Sequence, residues 1–390
     1  MKIRKRPGKE RRFFAGMALP LAAIALFVAM NAALLVRAGE YLPVPEILEK
    51  IDAGHGLYGS AIQPNTYWLK QDIYRRIKPD VAVLGSSRVL QFRKDFFDTS
   101  FANLGNMHNL QQVITMAETV VTEHKPKLLV LAVDFWWFNP AYSNDEFTTE
   151  PPDTRMRVAD LFDAAGWLFK GKLSPRDIWH ILAQDTANVG ITAIARGDGF
   201  DAYGSYYNDS LVTGEVKHRD AKFAITLGYI KGNKLRFSHA ATPDKKKLQE
   251  FARLLRQLRR AGVPTVVFIP PLAPNVIDEM AQHPKWSGYV QPALAEVEKL
   301  SRDAGFGFYN FHDPRDIGGG NCEMLDGVHA GPVSYARLLK IMAAQDEKLA
   351  SVVNGRRLDE IVKRYSGRGS TLGAREVDFL GLGCGTSPRP

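Results

Sequence analysis

Cysteine is nearly absent: two residues in 390, Cys322 and Cys384, neither at metal-ligand spacing. No cysteine-held metal is implied. A single disulfide between a loop and the C-terminal tail is the one bridge that could form. No internal repeat is present, and no base-reading fold signature, so nucleic acid is not an expected partner. Charge is also scarce where a first glance at the net +9 would place it. Residues 1–37 carry eight Lys/Arg against Glu10, a balance of +7, leaving +2 for the remaining 353 residues. The basicity is a terminal tag and explains little about the rest of the chain.

Directly after that tag the chain turns apolar. Residues 13–36 hold no charge and only Asn31 as a strongly polar group. As a helix, these residues would extend about 36 Å, enough for a bilayer core of about 30 Å. Basic residues before the run and Arg37 alone after it predict a cytoplasmic tail over 1–12, a single-pass anchor over 13–36 in the inner membrane, and the bulk on the extracytoplasmic, periplasmic side. A cleaved signal peptide would have a shorter apolar region, of about 7–15 residues. A buried core helix is the third alternative.

The hydrophobic share of 45% and charged share of 24% are ordinary for a folded chain, and the length allows one large domain or two smaller ones. Residues 37–65 read as a linker. From there short apolar runs alternate with helical patterns: strands over 80–84, 101–104, 127–133, 265–269 and 307–311, and helices over 67–77, 109–124, 292–304 and from 333. A further helix is expected to be capped by Thr242-Pro243 and to run to Ala261. This rhythm predicts an α/β fold with a central parallel sheet over residues 66–355. Residues 140–241 break it, with helices over 154–169 and 175–189 and then a glycine- and tyrosine-rich stretch, and read as an insertion or lid. Residues 356–390 read as a tail, loosely ordered by composition beyond 366.

Two stretches carry chemistry. The first strand runs into Gly85-Ser86-Ser87-Arg88, delivering hydroxyls to the carboxyl edge of the sheet, where open α/β folds place their ligands. After the last strand, Asp326-Gly327-Val328-His329 offers a carboxylate and an imidazole three residues apart. A serine needs a base, and a histidine held in one tautomer by a carboxylate supplies it. Alone, the first stretch is a turn and the second a loop; their order around sequential α/β units makes them a candidate nucleophile, base and orienter.

That pairing resembles the SGNH/GDSL hydrolase superfamily over residues 65–140 and 242–350. It is most similar to the membrane-anchored extracytoplasmic branch that accompanies multi-spanning membrane-bound O-acyltransferases in decorating polysaccharides and cell-wall polymers. The resemblance implies a three-layer flavodoxin-like domain with Ser87 as nucleophile, His329 as general base and Asp326 as its orienter. It further implies O-acyl (acetyl) transfer to a carbohydrate through an acyl-serine, an esterase of the same fold, or a non-catalytic accessory of the acyltransferase. No cofactor is implied. Ser86 stands where the family has aspartate, and the second block corresponds to Asn103-Leu104-Gly105, with the usual oxyanion glycine falling near His108. In the third block Asp134 replaces an asparagine. An ionised carboxylate repels an oxyanion, so the hole falls to Asn106, or to main-chain N–H groups at Ser87 and Gly105. Asp134 is left as a partner for Arg88.

His108 and His312 lie near these loops, as site or packing residues. Trp136, Trp137 and Phe138, with Tyr203, Tyr206 and Tyr207, could stack on sugar faces or fill core. The basic residues over 245–260 form a solvated face or meet an anionic polymer or lipid headgroup.

Overall fold

The computed structural model describes residues 9–62, 66–142, 155–169, 173–183, 186–283 and 288–384. Of the basic tail expected over 1–12, residues 1–8 lie outside them, and 9–12 are the first turn of a helix. The chain divides into two compact units, Met1–Pro64 with Pro152–Gly197, and Asn65–Pro151 with Asp198–Pro390. The insertion expected over 140–241 is therefore shared between the two rather than being one lid.

The larger unit is α/β. Five strands form its central sheet: β1 (Val81–Leu84), β2 (Phe101–Leu104), β3 (Leu128–Ala132), and, after a small antiparallel hairpin of β4 (Asp198–Phe200) and β5 (Tyr206–Asn208), β6 (Thr265–Ile269) and β7 (Gly307–Asn310). All pairs in the large sheet are parallel, in the order β2-β1-β3-β6-β7. Every residue of β1, β2, β3 and β6 is buried, as expected for strands covered on both faces. Helices Leu110–Thr122, Lys245–Arg260 and Val290–Asp303 are the crossovers from β2 to β3, β3 to β6 and β6 to β7, and they pack side by side. All three step in one direction, so right-handed connection puts them on one face. The β1-to-β2 step runs the other way. Its Phe92 ring meets both Phe268 of β6 and Tyr335 of helix Pro332–Ala343, which covers the opposite face.

Strand order reverses beside β1, so the crevice at the carboxyl ends of β1 and β3 is the switch point where such sheets take ligands. The residue that leaves β1 there is a glycine, Gly85, because a Cβ at that position would lie 2.8 Å from the Cβ of Ala132. Helix boundaries follow local capping chemistry. Asn109 accepts from the Gln112 N–H at 2.9 Å, and Asp244, not Thr242, caps Lys245–Arg260 by accepting from Lys246 and Lys247. That basic helix buries Phe251, Leu254, Leu255 and Leu258, and so has an apolar stripe under its charged face.

The smaller unit is helical. Its longest helix, Lys9–Ala38, contains a stretch over Gly16–Ala38 that is long and apolar enough to cross a membrane, and most of that stretch is exposed. Its last turn is different. Leu34, Leu35 and Ala38 form a core with Leu161, Ile181 and Ile191 from helices Val158–Phe169, Pro175–Ala183 and Ile191–Arg196, and with Leu173 just before the second of these. The stretch expected as a linker holds a helix, Val44–Gly54, with Ile47, Leu48 and Ile51 buried. Glu40 is 4% exposed and accepts from Ser60 Oγ, from the Ala61 and Ile62 N–H groups, and from the Ile191 N–H.

The tail also departs from expectation. Residues 366–384 are folded into the larger unit, and Cys322 and Cys384 are disulfide-bonded with Cα atoms 5.4 Å apart. Composition misleads there because backbone N–H groups find carboxylate acceptors: Gly369 and Ser370 donate to Glu376 a few residues on, and Gly367 to Glu323, which only the fold brings near.

Candidate active site

Ser86 and Ser87 divide their work. Ser86 is extended at the end of β1 and its Oγ accepts from the Arg88 N–H, starting a short 3-10 turn over Ser87–Val89. Ser87, the first residue of that turn, is part-exposed, and its Oγ lies 2.8 Å from Nε2 of His329. On the other side of the ring, His329 Nδ1 is 2.7 Å from Asp326 Oδ2. A carboxylate only accepts, so Nδ1 carries the proton and Nε2 is the lone pair facing Ser87. The second oxygen, Asp326 Oδ1, accepts from the N–H groups of Val328 and His329, each at 2.8 Å, and so folds the loop that carries the ring. Burial alone would raise the Asp326 carboxyl; the His329 charge, its hydrogen bond and the two backbone donors outweigh it and hold the group well below the usual carboxylate range. A hydroxyl, an imidazole with its free nitrogen toward it, and an ionised carboxylate therefore converge from stretches 242 residues apart, the arrangement that an activated nucleophile requires.

Arg88 locks the nucleophile turn to the surrounding loops. It is 1% exposed, and its guanidinium donates to Asp134 Oδ1 at 2.9 Å, to the Pro270 and Pro271 carbonyls, and through Nε to Val328 O at 3.0 Å. Those acceptors follow β3 and β6 and flank His329. Tyr335 donates its hydroxyl to the Arg88 carbonyl. One buried cation thus ties the serine turn to the histidine loop, and Asp134 is its counter-charge, set in an ion pair with both side chains essentially dry. The second Asp134 oxygen has no hydrogen-bond partner among the described residues.

The expected oxyanion donors are engaged elsewhere. The Gly105 N–H donates to Asn103 Oδ1 at 2.9 Å, and Asn106 Nδ2 donates to Thr66 Oγ1 at 2.9 Å. Asn103 in turn donates to Val89 O, fastening β2 to the serine turn. Gly105 and the Asn106 side chain are thus loop-holding groups, because the polar atoms beside them are themselves buried and need partners. Asn106 itself is left-handed, at φ 80°. Among the described residues, the main-chain N–H groups of Ser87 and Asn106 remain unengaged by other protein groups.

The two further histidines are not part of the Ser87–His329–Asp326 relay. His108 has an exposed side chain, and its N–H bonds to Gln112 Oε1 at 2.7 Å. His312 is buried against Phe135; burial and the nearby Arg88 push its pKa down to about 4, so it stays neutral. The aromatic group is packing: Trp136 and Trp137 are each 4% exposed, Phe138 is fully buried, and the Trp136 ring meets the guanidiniums of both Arg88 and Arg236. Tyr207 lies under Arg93, Tyr206 packs edge-on to Phe200, and Tyr203 is exposed.

Several supporting residues carry no signal in sequence. Asp220 accepts from Gly327 N–H at 3.1 Å, and from the N–H and hydroxyl of Thr226. Gly327 must be glycine there, since a Cβ would lie 2.6 Å from Thr226. His218 bonds through Nε2 to Leu325 O at 2.6 Å. An Asp and a His inside an irregular polar stretch look like solvated residues until the fold sets them beside the Asp326 loop. No cluster of His, Cys, Asp and Glu able to hold a metal occurs among the described residues.

Comparison of the chain with known protein families, with curated proteins and with solved structures finds no match. The site must be read from its geometry.

Proposed function

We propose that the chain is a membrane-anchored, serine-dependent O-acyltransferase of SGNH type, moving an acyl group, most simply acetyl, onto a hydroxyl of an extracytoplasmic polysaccharide. The observation that carries this reading is the continuous relay from Ser87 Oγ to His329 Nε2 at 2.8 Å and from His329 Nδ1 to Asp326 at 2.7 Å. In acylation, Ser87 Oγ attacks the acyl carbonyl while His329 Nε2 takes its proton. The tetrahedral oxyanion is met by the Ser87 and Asn106 N–H groups, and the leaving oxygen departs with the proton from His329. In the second half, His329 deprotonates a sugar hydroxyl, which attacks the acyl-Ser87 ester and regenerates the free serine. Water in place of the sugar makes the same site an esterase.

Supporting the membrane part are the apolar helix Lys9–Ala38 and the basic residues that precede it, with the larger unit assigned to the extracytoplasmic side of the inner membrane. The acyl donor is assigned to a multi-spanning acyltransferase partner. An accessory role without turnover is favoured by one observation only: Asp134 is a carboxylate paired to Arg88 at the place where an amide donor would serve an oxyanion.

The test uses the full chain in detergent with an aryl acetate as donor and an oligosaccharide acceptor. Ser87→Ala should lower turnover by about 10³-fold or more, and intact mass should detect acetyl on the wild-type enzyme but not on the variant. Acetylated sugar distinguishes transfer from hydrolysis. Turnover unaffected by Ser87→Ala would end the nucleophile assignment, and no turnover alongside normal polymer acylation in cells carrying Ser87→Ala would leave the accessory role.

A further inference from the structure

Helices Val158–Phe169 and Pro175–Ala183 are apolar on the wrong side for water. Inward, Leu161 is 8% and Ile181 1% exposed, against the end of helix Lys9–Ala38. Outward, Val158 is 72%, Phe162 59%, Trp179 67% and Leu182 44% exposed. A helix facing water would carry polar groups there. The segment of the long helix that they pack against is confined to its end: Val28, Ala32, Leu34, Leu35 and Ala38, with the Phe27 ring 6.2 Å from that of Phe162. At 1.5 Å per residue that segment is about 15 Å long, half of a bilayer core of about 30 Å. Whatever packs on it shares the depth of one leaflet.

Polar groups gather where each short helix begins. Asp160 pairs with Arg157 and accepts from the hydroxyl of Tyr41, which lies just past the end of the long helix. Ser174 and Asp177 cap each other across the start of Pro175–Ala183. An aromatic-bearing surface with a polar margin at the end of a membrane-crossing helix matches the composition of a membrane interface.

We propose that Val158, Phe162, Trp179 and Leu182 insert into the acyl region of the leaflet at which Ala38 emerges, so that the smaller unit is a lipid-embedded collar around its own anchor. The occupant is lipid, because the surface adjoins the anchor through the Phe162–Phe27 ring contact, and the anchor's own Phe27, Met30 and Val36 are exposed beside it. This rests on the reading of Gly16–Ala38 as a membrane span. The collar gives the anchor a second hold on one leaflet and fixes its rotation.

The experiment reconstitutes the full chain into phosphatidylcholine/phosphatidylglycerol vesicles, with or without brominated acyl chains, and compares tryptophan emission of the wild type and Trp179→Phe. Trp179 is exposed, so this substitution leaves the core untouched. Wild-type emission should be quenched by brominated lipid, and Trp179→Phe should lose a distinct part of that quenching. Equal quenching of the two proteins, both floating with the vesicles, would overturn the collar while leaving the anchor standing; the surface would then await a protein partner. A chain that fails to float with the vesicles would overturn the anchor and the collar together.

Discussion

Arg88 touches no reacting atom, yet it joins the serine turn to the loops after β3 and β6 and to the carbonyl next to His329. Arg88→Met strands Asp134 as an unpaired buried charge and should cost about 3–5 kcal/mol of stability, read by chemical unfolding. Arg88→Lys keeps the charge but not the fork. It should lose about 10- to 100-fold in kcat with a smaller loss of stability, since misplacement of about 1 Å has that scale of effect on a proton relay. Asp326→Asn should lower kcat by about 10⁴-fold through the wrong imidazole tautomer, with KM little changed. Lys70 is a second buried cation. Its ammonium donates to the carbonyls of Asn103 and Gly204 above the Phe200 ring, and burial pushes its pKa down to about 7, with Asp201 opposing. Unfolded, it would titrate at about 10.4. Between those values the folded chain holds fewer protons than the unfolded one, so stability rises with pH across that window and is lost as pH falls through about 7. The wild-type Tm should therefore gain on that of Lys70→Met as pH rises from about 7 to 9; a constant difference would contradict it.

Among elements, residues 366–384 matter most for their position. Val377 N–H bonds to Val212 O, Lys222 N–H to Leu380 O, and Phe379 stacks on His218, which holds Leu325 O beside the Asp326 loop. Glu323, 1% exposed, binds Arg337 with both oxygens and receives Gly367 N–H. The Cys322–Cys384 bond closes this arrangement across a sequence separation of 62. Replacing both cysteines by serine should lower stability by up to about 4 kcal/mol on the loop-entropy account, seen as a fall in Tm. Ending the chain at Tyr365 should in addition lower kcat, because His218 loses the ring that it stacks on.

At the scale of the molecule, the helix long and apolar enough to cross a membrane is also a structural helix. Leu34, Leu35 and Ala38 belong to the core of the smaller unit, so residues 39–390 expressed alone would expose Leu161, Leu173, Ile181 and Ile191. Such a fragment should aggregate or lose the thermal transition of the smaller unit, while the full chain in detergent keeps it. Differential scanning calorimetry of the two proteins checks this, and assays of the site belong on the full chain.

The α/β architecture and the serine–histidine–aspartate set were legible in the chain, for a local reason. Buried parallel strands are short apolar runs with little else they could be, and Gly85-Ser86-Ser87 and Asp326–His329 sit at their ends. The apolar span of the first helix is likewise a property of consecutive residues. Contacts between distant residues had no such signature. Nothing near Asp220, His218 or Glu323 in sequence distinguishes a solvated side chain from one holding the Asp326–His329 loop or the segment before it. Asn103 donating to Val89 O, Arg88 pairing with Asp134, and Gly367 N–H finding the buried Glu323 are partnerships made by burial. Each buried donor or acceptor must be satisfied, and which partner satisfies it depends on the whole packed arrangement, which only the tertiary structure decides.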